Sequence, residues 1–361
     1  MSNPHQKPDQ IKRIVVRGTN WVGDAVISVP ALRRLRQVFP AAHITLVSRP
    51  GTADVFTDAD FLDEVLLYER SSLGSVWTQA RKWRERQFDL ALLFQNAFEA
   101  AALAFLARVP LRVGYDFEHR GVLLTRSVPL PAWKNDRHEV FYYLNLVDET
   151  ERLACSKTDA DHLEPEFRLD VSSARQDEAR RILGERGVSS DQPLVLLCPG
   201  SINSRAKRWP AERYAALSDQ LVNSGANVAL IGSGKEAEVS ALVSRTSKHP
   251  VTVLTGETTV AQAIAIISVA DLLVTNDTGP AHIGSAVRTP TLVIFGPTNP
   301  STTRPFATSA EIVRVPPDCA PCMLRDCPID HRCMTAITPE DVFARSQKML
   351  TARRPPLFRV G

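Results

Sequence analysis

Two turns hold the residues of this chain best suited to chemistry. One is Asn20-Trp21-Val22-Gly23-Asp24, and the other is Thr275-Asn276-Asp277-Thr278-Gly279-Pro280. Each follows an apolar run that reads as a strand, Ile14-Val15-Val16 in the first case and Leu272-Leu273-Val274 in the second, and each leads into a helix. Open α/β sheets bind ligands at such strand-to-helix turns, because backbone N–H groups and the positive helix end converge there. Thr278 and Gly279 therefore suit an anion. Asp277 cannot bind phosphate itself, so it caps the helix or orients donors. Asp24 has the chemistry of a general base, although an aspartate at a helix start is more often an N-cap. The helix end lowers its pKa and desolvation raises it.

Two further stretches supply polar groups. Cys198-Pro199-Gly200-Ser201-Ile202-Asn203-Ser204 follows a strand and runs into Ala206-Lys207-Arg208-Trp209-Pro210. Small and polar residues such as Ser201 and Asn203 leave backbone N–H groups open there, and Lys207 adds a mobile cation, a combination that suits a diphosphate. A solvated loop with a surface lysine is the competing reading. Ile231-Gly232-Ser233-Gly234-Lys235-Glu236 lacks the full spacing of a dinucleotide or P-loop motif. Glu236 could accept from both hydroxyls of a ribose, or simply favour a helix N-terminus. His282, one turn into the second helix, is ordinarily a packed side chain, with ligand contact the alternative.

Cys319, Cys322, Cys327 and Cys333 form a cluster of their own, with Cys319 and Cys322 at metal-knuckle spacing and the later spacing irregular. In a reducing compartment four close thiols favour a structural zinc over two disulfides. Unligated thiols are the alternative, and His331 is a lesser ligand candidate. Cys198, inside an apolar strand, reads as a small buried side chain.

The elements that must position these groups alternate between apolar β-rich runs and helical patterns. In the first half, strands are expected at residues 11–18, 43–49, 64–69, 88–95 and 111–115, with helices near 24–39, 75–86 and 97–107. The second half repeats the pattern with strands at 194–198, 227–231, 251–254, 271–275 and 291–295. Fully apolar strands separated by helices imply parallel sheets covered on both faces. The fold class is therefore α/β, with two doubly wound Rossmann-like domains facing a cleft: 11–186, then 187–335 beyond a turn-rich boundary at 187–193. Residues 116–170 are expected as loops and a connector, with one amphipathic helix at 139–146. A last helix at 338–352 opens with Thr338-Pro339-Glu340-Asp341 and is expected to cross back to the first domain.

With 361 residues, 23% of them charged and 44% hydrophobic, the chain can fill two cores. A net charge of +3 with scattered basic residues argues against nucleic acid as a partner. No apolar run approaches the roughly 18 residues that cross a bilayer, and residues 1–10 read as a polar leader without a signal-peptide core. The expected location is the cytoplasm.

Taken together, Trp21-Val22-Gly23-Asp24, Cys198-Pro199-Gly200, Ala206-Lys207-Arg208-Trp209-Pro210, Gly256-Glu257-Thr258, Thr275-Asn276-Asp277-Thr278-Gly279 and Phe295-Gly296-Pro297-Thr298 resemble the lipopolysaccharide heptosyltransferases of glycosyltransferase family 9. The resemblance spans nearly the whole chain, and the combination is specific where each piece alone is not. It implies a GT-B architecture, the acceptor bound by the first domain and ADP-heptose by the second, with inversion in a single displacement. It makes Asp24 the base, Lys207 the diphosphate lysine, Thr278 and Gly279 backbone phosphate donors, Glu236 the ribose carboxylate and Asp277 a carboxylate near the donor sugar. It places Ser201, Asn203 and His282 at the donor site, and no cofactor is required for catalysis. The implied acceptor is a heptose already on the lipopolysaccharide inner core, met at the cytoplasmic membrane surface. Other family members acting earlier or later on the core remain alternatives, as does a nucleotide-sugar-binding protein without turnover. A sugar-nucleotide epimerase would need further acidic and histidine groups, which the sequence does not assign. Pro280-Ala281 replaces a bulkier apolar pair of the family pattern, and Asn20 stands where serine is familiar.

Overall fold

A computed structural model describes residues 10–155 and 164–353. The polar leader expected at residues 1–10 lies outside them except for Gln10. The chain divides into two compact units, Met1–Phe167 and Arg168–Gly361.

The first unit has six parallel strands, β1 (Arg13–Arg17), β2 (His43–Ser48), β3 (Glu64–Leu67), β4 (Leu90–Leu93), β5 (Leu111–Tyr115) and β6 (Arg126–Val128), in the order β3-β2-β1-β4-β5-β6. The second has β7 (Leu194–Cys198), β8 (Asn227–Leu230), β9 (Thr252–Val253), β10 (Leu272–Asn276), β11 (Thr291–Ile294) and β12 (Ala310–Val313), in the order β12-β11-β10-β7-β8-β9. Numbered within each unit, both orders are 3-2-1-4-5-6, the doubly wound Rossmann order. Central strands buried on both faces need apolar residues at every position. Ile14, Val15 and Val16 in β1 and Leu194 to Cys198 in β7 are accordingly all buried. Each such Leu or Val contributes about 1.5–3 kcal/mol.

The order reverses between β1 and β4 in one unit and between β7 and β10 in the other. At these switch points the following helices depart to opposite faces and leave a crevice at the strand ends. Asp24 follows β1. The loop carrying Lys207 follows β7, and the turn carrying Asp277 follows β10; Cys198 and Thr275 are register partners in the pairing of these two strands.

Several expectations need correction. The long helix expected over 24–39 is two helices, Val22–Ile27 and Val29–Val38, because Pro30 has no N–H to give to the carbonyl of Val26. The edge strands β6 and β12 were not expected. Residues 139–155 form one helix, Glu139–Cys155, far longer than the segment anticipated; it is tied to the helix Val29–Val38 by the bidentate pair of Arg34 with Glu151, at 2.9 and 2.7 Å. The division between units falls at Phe167/Arg168 rather than at 186/187. The helix Ser173–Glu185 belongs to the second unit because it packs on the helix Val260–Val269, where Gln262 Nε2 donates to Glu178 Oε1 at 3.2 Å and Arg175 donates to the Ala261 carbonyl. The last helix, Pro339–Arg353, packs within the second unit. Val342 and Leu350 enter the core of the second unit, and Gln347 Nε2 donates to Ser224 Oγ at 2.7 Å.

Candidate active site

Asn276, at the end of β10, organises the second switch point. It is fully buried, and all of its amide's hydrogen-bonding capacity is directed across the crevice. Its Nδ2 donates to the carbonyls of Pro199 and Gly200 at 2.9 and 3.1 Å. Its Oδ1 accepts from the Trp209 N–H and the Tyr214 hydroxyl, both at 3.1 Å. One side chain thus fixes both ends of the loop that holds Lys207. Trp209, 1% exposed, anchors the far end by donating Nε1–H to the Ile337 carbonyl at 3.0 Å. Sequence reasoning gave Asn276 no role; the visible signal was a polar residue closing an otherwise apolar strand.

Between these fixed points Lys207 lies a quarter exposed in the single turn Arg205–Lys207. Its Nζ donates to the Asp277 carbonyl at 3.1 Å and to Asp277 Oδ2 at 2.9 Å, which leaves one of three N–H donors without an acceptor among the described residues. Thr298 donates to the same Oδ2 at 2.6 Å. Asp277 is therefore no helix cap but a buried acceptor that aims Lys207. Thr278 is the N-cap residue of the helix Gly279–Ala286, and the N–H groups of Thr278 and Gly279 have no acceptor among the described residues. The arrangement presents one ammonium proton and two backbone N–H groups from adjoining positions, a set suited to an anion.

Glu236 takes the second of its two expected roles, at a helix start, and leaves one carboxylate oxygen open. Its Oε2 accepts from the N–H and Oγ of Ser233 at 2.8 and 2.9 Å, closing a capping box at the turn Gly234–Glu236. Its Oε1 has no hydrogen-bond partner among the described residues and rests against Gly200, where any side chain would collide with it. Ser201 is buried, and its carbonyl accepts from Arg208 Nε and Nη2 at 3.0 and 2.8 Å. Asn203 is exposed, and His282 is 5% exposed within its helix. Burial pushes the Cys198 thiol up to about 12, as befits an inert packed side chain.

In the first unit Asp24 stands in the first turn of the helix Val22–Ile27, whose N-cap is Trp21. Asp24 is not the cap. Tyr143 lies within reach of its charge: burial raises the Tyr143 phenol well above its ordinary pKa, and the Asp24 carboxylate adds to that. Beyond β4, Arg120 is fully buried and donates to the Tyr115 carbonyl at 2.9 Å and to Asn96 Oδ1 at 3.0 Å; burial lowers its pKa to about 10. A groove of about 550 Å³ in this unit is lined by Arg33, Arg34, Trp133, Arg137 and Asn145, and none of the expected site residues lines it.

A zinc site at the four cysteines is not shown, although they lie near one another: burial first, then the charges of Cys322, Cys327 and Cys319, raise the Cys333 thiol above its ordinary pKa. Among the described residues no three His, Cys, Asp or Glu side chains are gathered as a metal ion requires. Cys333 is buried in the second core under Gly296, whereas Cys319 is exposed. His331, the lesser ligand candidate, directs Nε2 at the Ala206 carbonyl.

Comparison with known proteins identifies the family and the fold. Residues 76–332 match the family described as glycosyltransferase family 9 (heptosyltransferase). Lipopolysaccharide heptosyltransferase 2 of Salmonella typhimurium is 30% identical over 84% of this chain and 88% of its own. Lipooligosaccharide heptosyltransferase 2 of Haemophilus influenzae is likewise 30% identical, over 84% and 88%. The solved structure of E. coli ADP-heptose LPS heptosyltransferase II superposes with a TM-score of 0.80 at 26% identity, over 94% of this chain and 99% of that one. The fold is the expected α/β GT-B architecture.

Proposed function

The chain belongs to glycosyltransferase family 9, and on that premise we propose that it transfers heptose from ADP-heptose to a heptose of the lipopolysaccharide inner core, the reaction of a heptosyltransferase II. The observation that carries the proposal is the set of donors at the β7/β10 switch point: Lys207 aimed by Asp277, beside the open N–H groups of Thr278 and Gly279.

In this mechanism the diphosphate of ADP-heptose lies on those donors and Glu236 Oε1 accepts from the ribose. Ser201, Asn203 and His282 surround the donor. The bond between the anomeric carbon and the β-phosphate oxygen breaks as the acceptor oxygen attacks from the opposite side, inverting the centre. Negative charge grows on the departing diphosphate, so donors placed there stabilise the transition state more than the ground state. Asp24 takes the proton of the attacking hydroxyl. A module that only bound nucleotide sugars would use the first set of groups and have no need of Asp24. The acceptor is lipid-anchored, which puts the enzyme's work at the cytoplasmic face of the membrane; among the described residues no helix is long and apolar enough to cross one.

The test is acceptor-dependent release of ADP from ADP-heptose, compared between wild type and Asp24→Asn. The variant should bind ADP-heptose normally and release ADP roughly 10²-fold more slowly or worse. Equal rates would remove Asp24 as the base. Donor binding without any acceptor-dependent release by the wild type would favour the binding protein.

A further inference from the structure

The segment from Cys319 to Cys333 has no part in the mechanism above, yet it is bonded directly to the turn that carries Lys207. Ala206, the preceding residue, gives its N–H to the Arg325 carbonyl at 2.9 Å. Its own carbonyl, in the same peptide plane as the Lys207 nitrogen, lies 2.6 Å from His331 Nε2, which donates to it. Ser204 Oγ donates to the Arg325 carbonyl at 3.2 Å, and Arg205 pairs with Asp326 at 2.6 Å. The same segment reaches the other side of the Lys207–Asp277 pair. Met323 N–H donates to the Pro297 carbonyl at 2.9 Å, next to Thr298, and Gly296 packs so closely on Met334 that a side chain at 296 would strike it.

A single 3₁₀ turn closes too few hydrogen bonds to hold its own shape, so its geometry is set by what grips it. Here both polar groups of Ala206 are gripped by one distant segment. His331 itself has φ at +57°, in the left-handed region that few non-glycine residues occupy, and stands at the start of the short helix Arg332–Thr335.

We propose that His331 is a positioning residue for Lys207: by fixing the Ala206 carbonyl it sets where the ammonium group meets the diphosphate, an inference that rests on Lys207 reading that diphosphate. A misplacement of about 1 Å at such a contact is enough to cost rate. The cysteine-bearing segment is then a brace on the donor site.

ADP and adenosine affinities by calorimetry, together with kcat and KM for ADP-heptose, test this in wild type, His331→Ala, His331→Gln, Lys207→Ala and the double variant with Ala at both positions. His331→Ala should weaken ADP binding roughly fivefold to tenfold, leave adenosine unchanged and lower kcat. His331→Gln, which keeps an N–H donor of similar reach, should recover most of the loss. In the Lys207→Ala background the His331→Ala change should add nothing. Should His331→Ala fold poorly, His331→Asn, whose amide is too short for the carbonyl, takes its place. Wild-type ADP affinity in His331→Ala beside a weakened Lys207→Ala overturns the positioning role alone, and so does an undiminished further loss in the double variant. Wild-type ADP affinity in Lys207→Ala overturns the diphosphate assignment, and the role of His331 falls with it.

Discussion

At Gly200 a hydrogen in place of a side chain makes room for a carboxylate. A Cβ there would lie on Glu236 Oε1 and within 2.6 Å of Glu236 Cγ, and Oε2 is already held by the capping box with Ser233. The glutamate therefore cannot step aside without giving up its own hydrogen bonds. Gly200→Ala should expel the carboxylate and weaken adenosine and ADP binding by a similar factor, roughly tenfold for a lost charge-assisted hydrogen bond. Calorimetry with the two ligands checks it. Unchanged adenosine affinity would show that Glu236 does not contact the ribose. This is the complement of Lys207→Ala, which should be felt by ADP and not by adenosine.

At the scale of elements, the helix Gly279–Ala286 is set by how closely it approaches the sheet. A Cβ on Gly284 would collide with Thr291 Oγ1 and lie 2.9 Å from Leu273 Cδ2. Thr291 cannot readily rotate away, because its hydroxyl donates to the Thr289 carbonyl at 2.8 Å. Gly284→Ala should push the helix off β10 and β11, costing about 1–3 kcal/mol as overpacking does and displacing the Thr278 and Gly279 N–H groups with it. A urea midpoint lowered at constant m, together with weaker ADP binding, is the expected result; a shift in neither would mean that the helix is free to settle elsewhere. The central strands and the turns after them were legible in the sequence because β7 is apolar throughout, β1 and β10 carry the apolar runs Ile14-Val15-Val16 and Leu272-Leu273-Val274, and all three lead into glycine-containing turns. β6 and β12 were not, since short edge strands such as Arg126-Ser127-Val128 carry no apolar run. The union of the two donor loops was also hidden: Asn276 and Pro199 are 77 residues apart, and their bond is to a backbone carbonyl that no residue type announces. The hold of the cysteine segment on the donor loop was hidden for the same reason. The segment's spacing speaks only to the thiols, and its contacts there run through backbone groups at Ala206 and Pro297.

Over the whole molecule the same strand order occurs twice, once with a carboxylate after the first strand and once with a cation and open N–H groups after the first and fourth. Duplicated architecture with unlike chemistry at the two switch points is what a transferase needs, since acceptor and donor make opposite demands: one must lose a proton, and the other must have growing negative charge met. The most direct measurement is therefore of transfer itself. Purified protein is incubated with ADP-heptose and inner-core acceptors carrying zero, one or two heptoses, and the products are identified by mass. Gain of one heptose on the acceptor that already carries one, with ADP released in equal amount, is the predicted result. Transfer only to the acceptor that carries none would contradict the assignment and indicate the first heptosyl transfer instead.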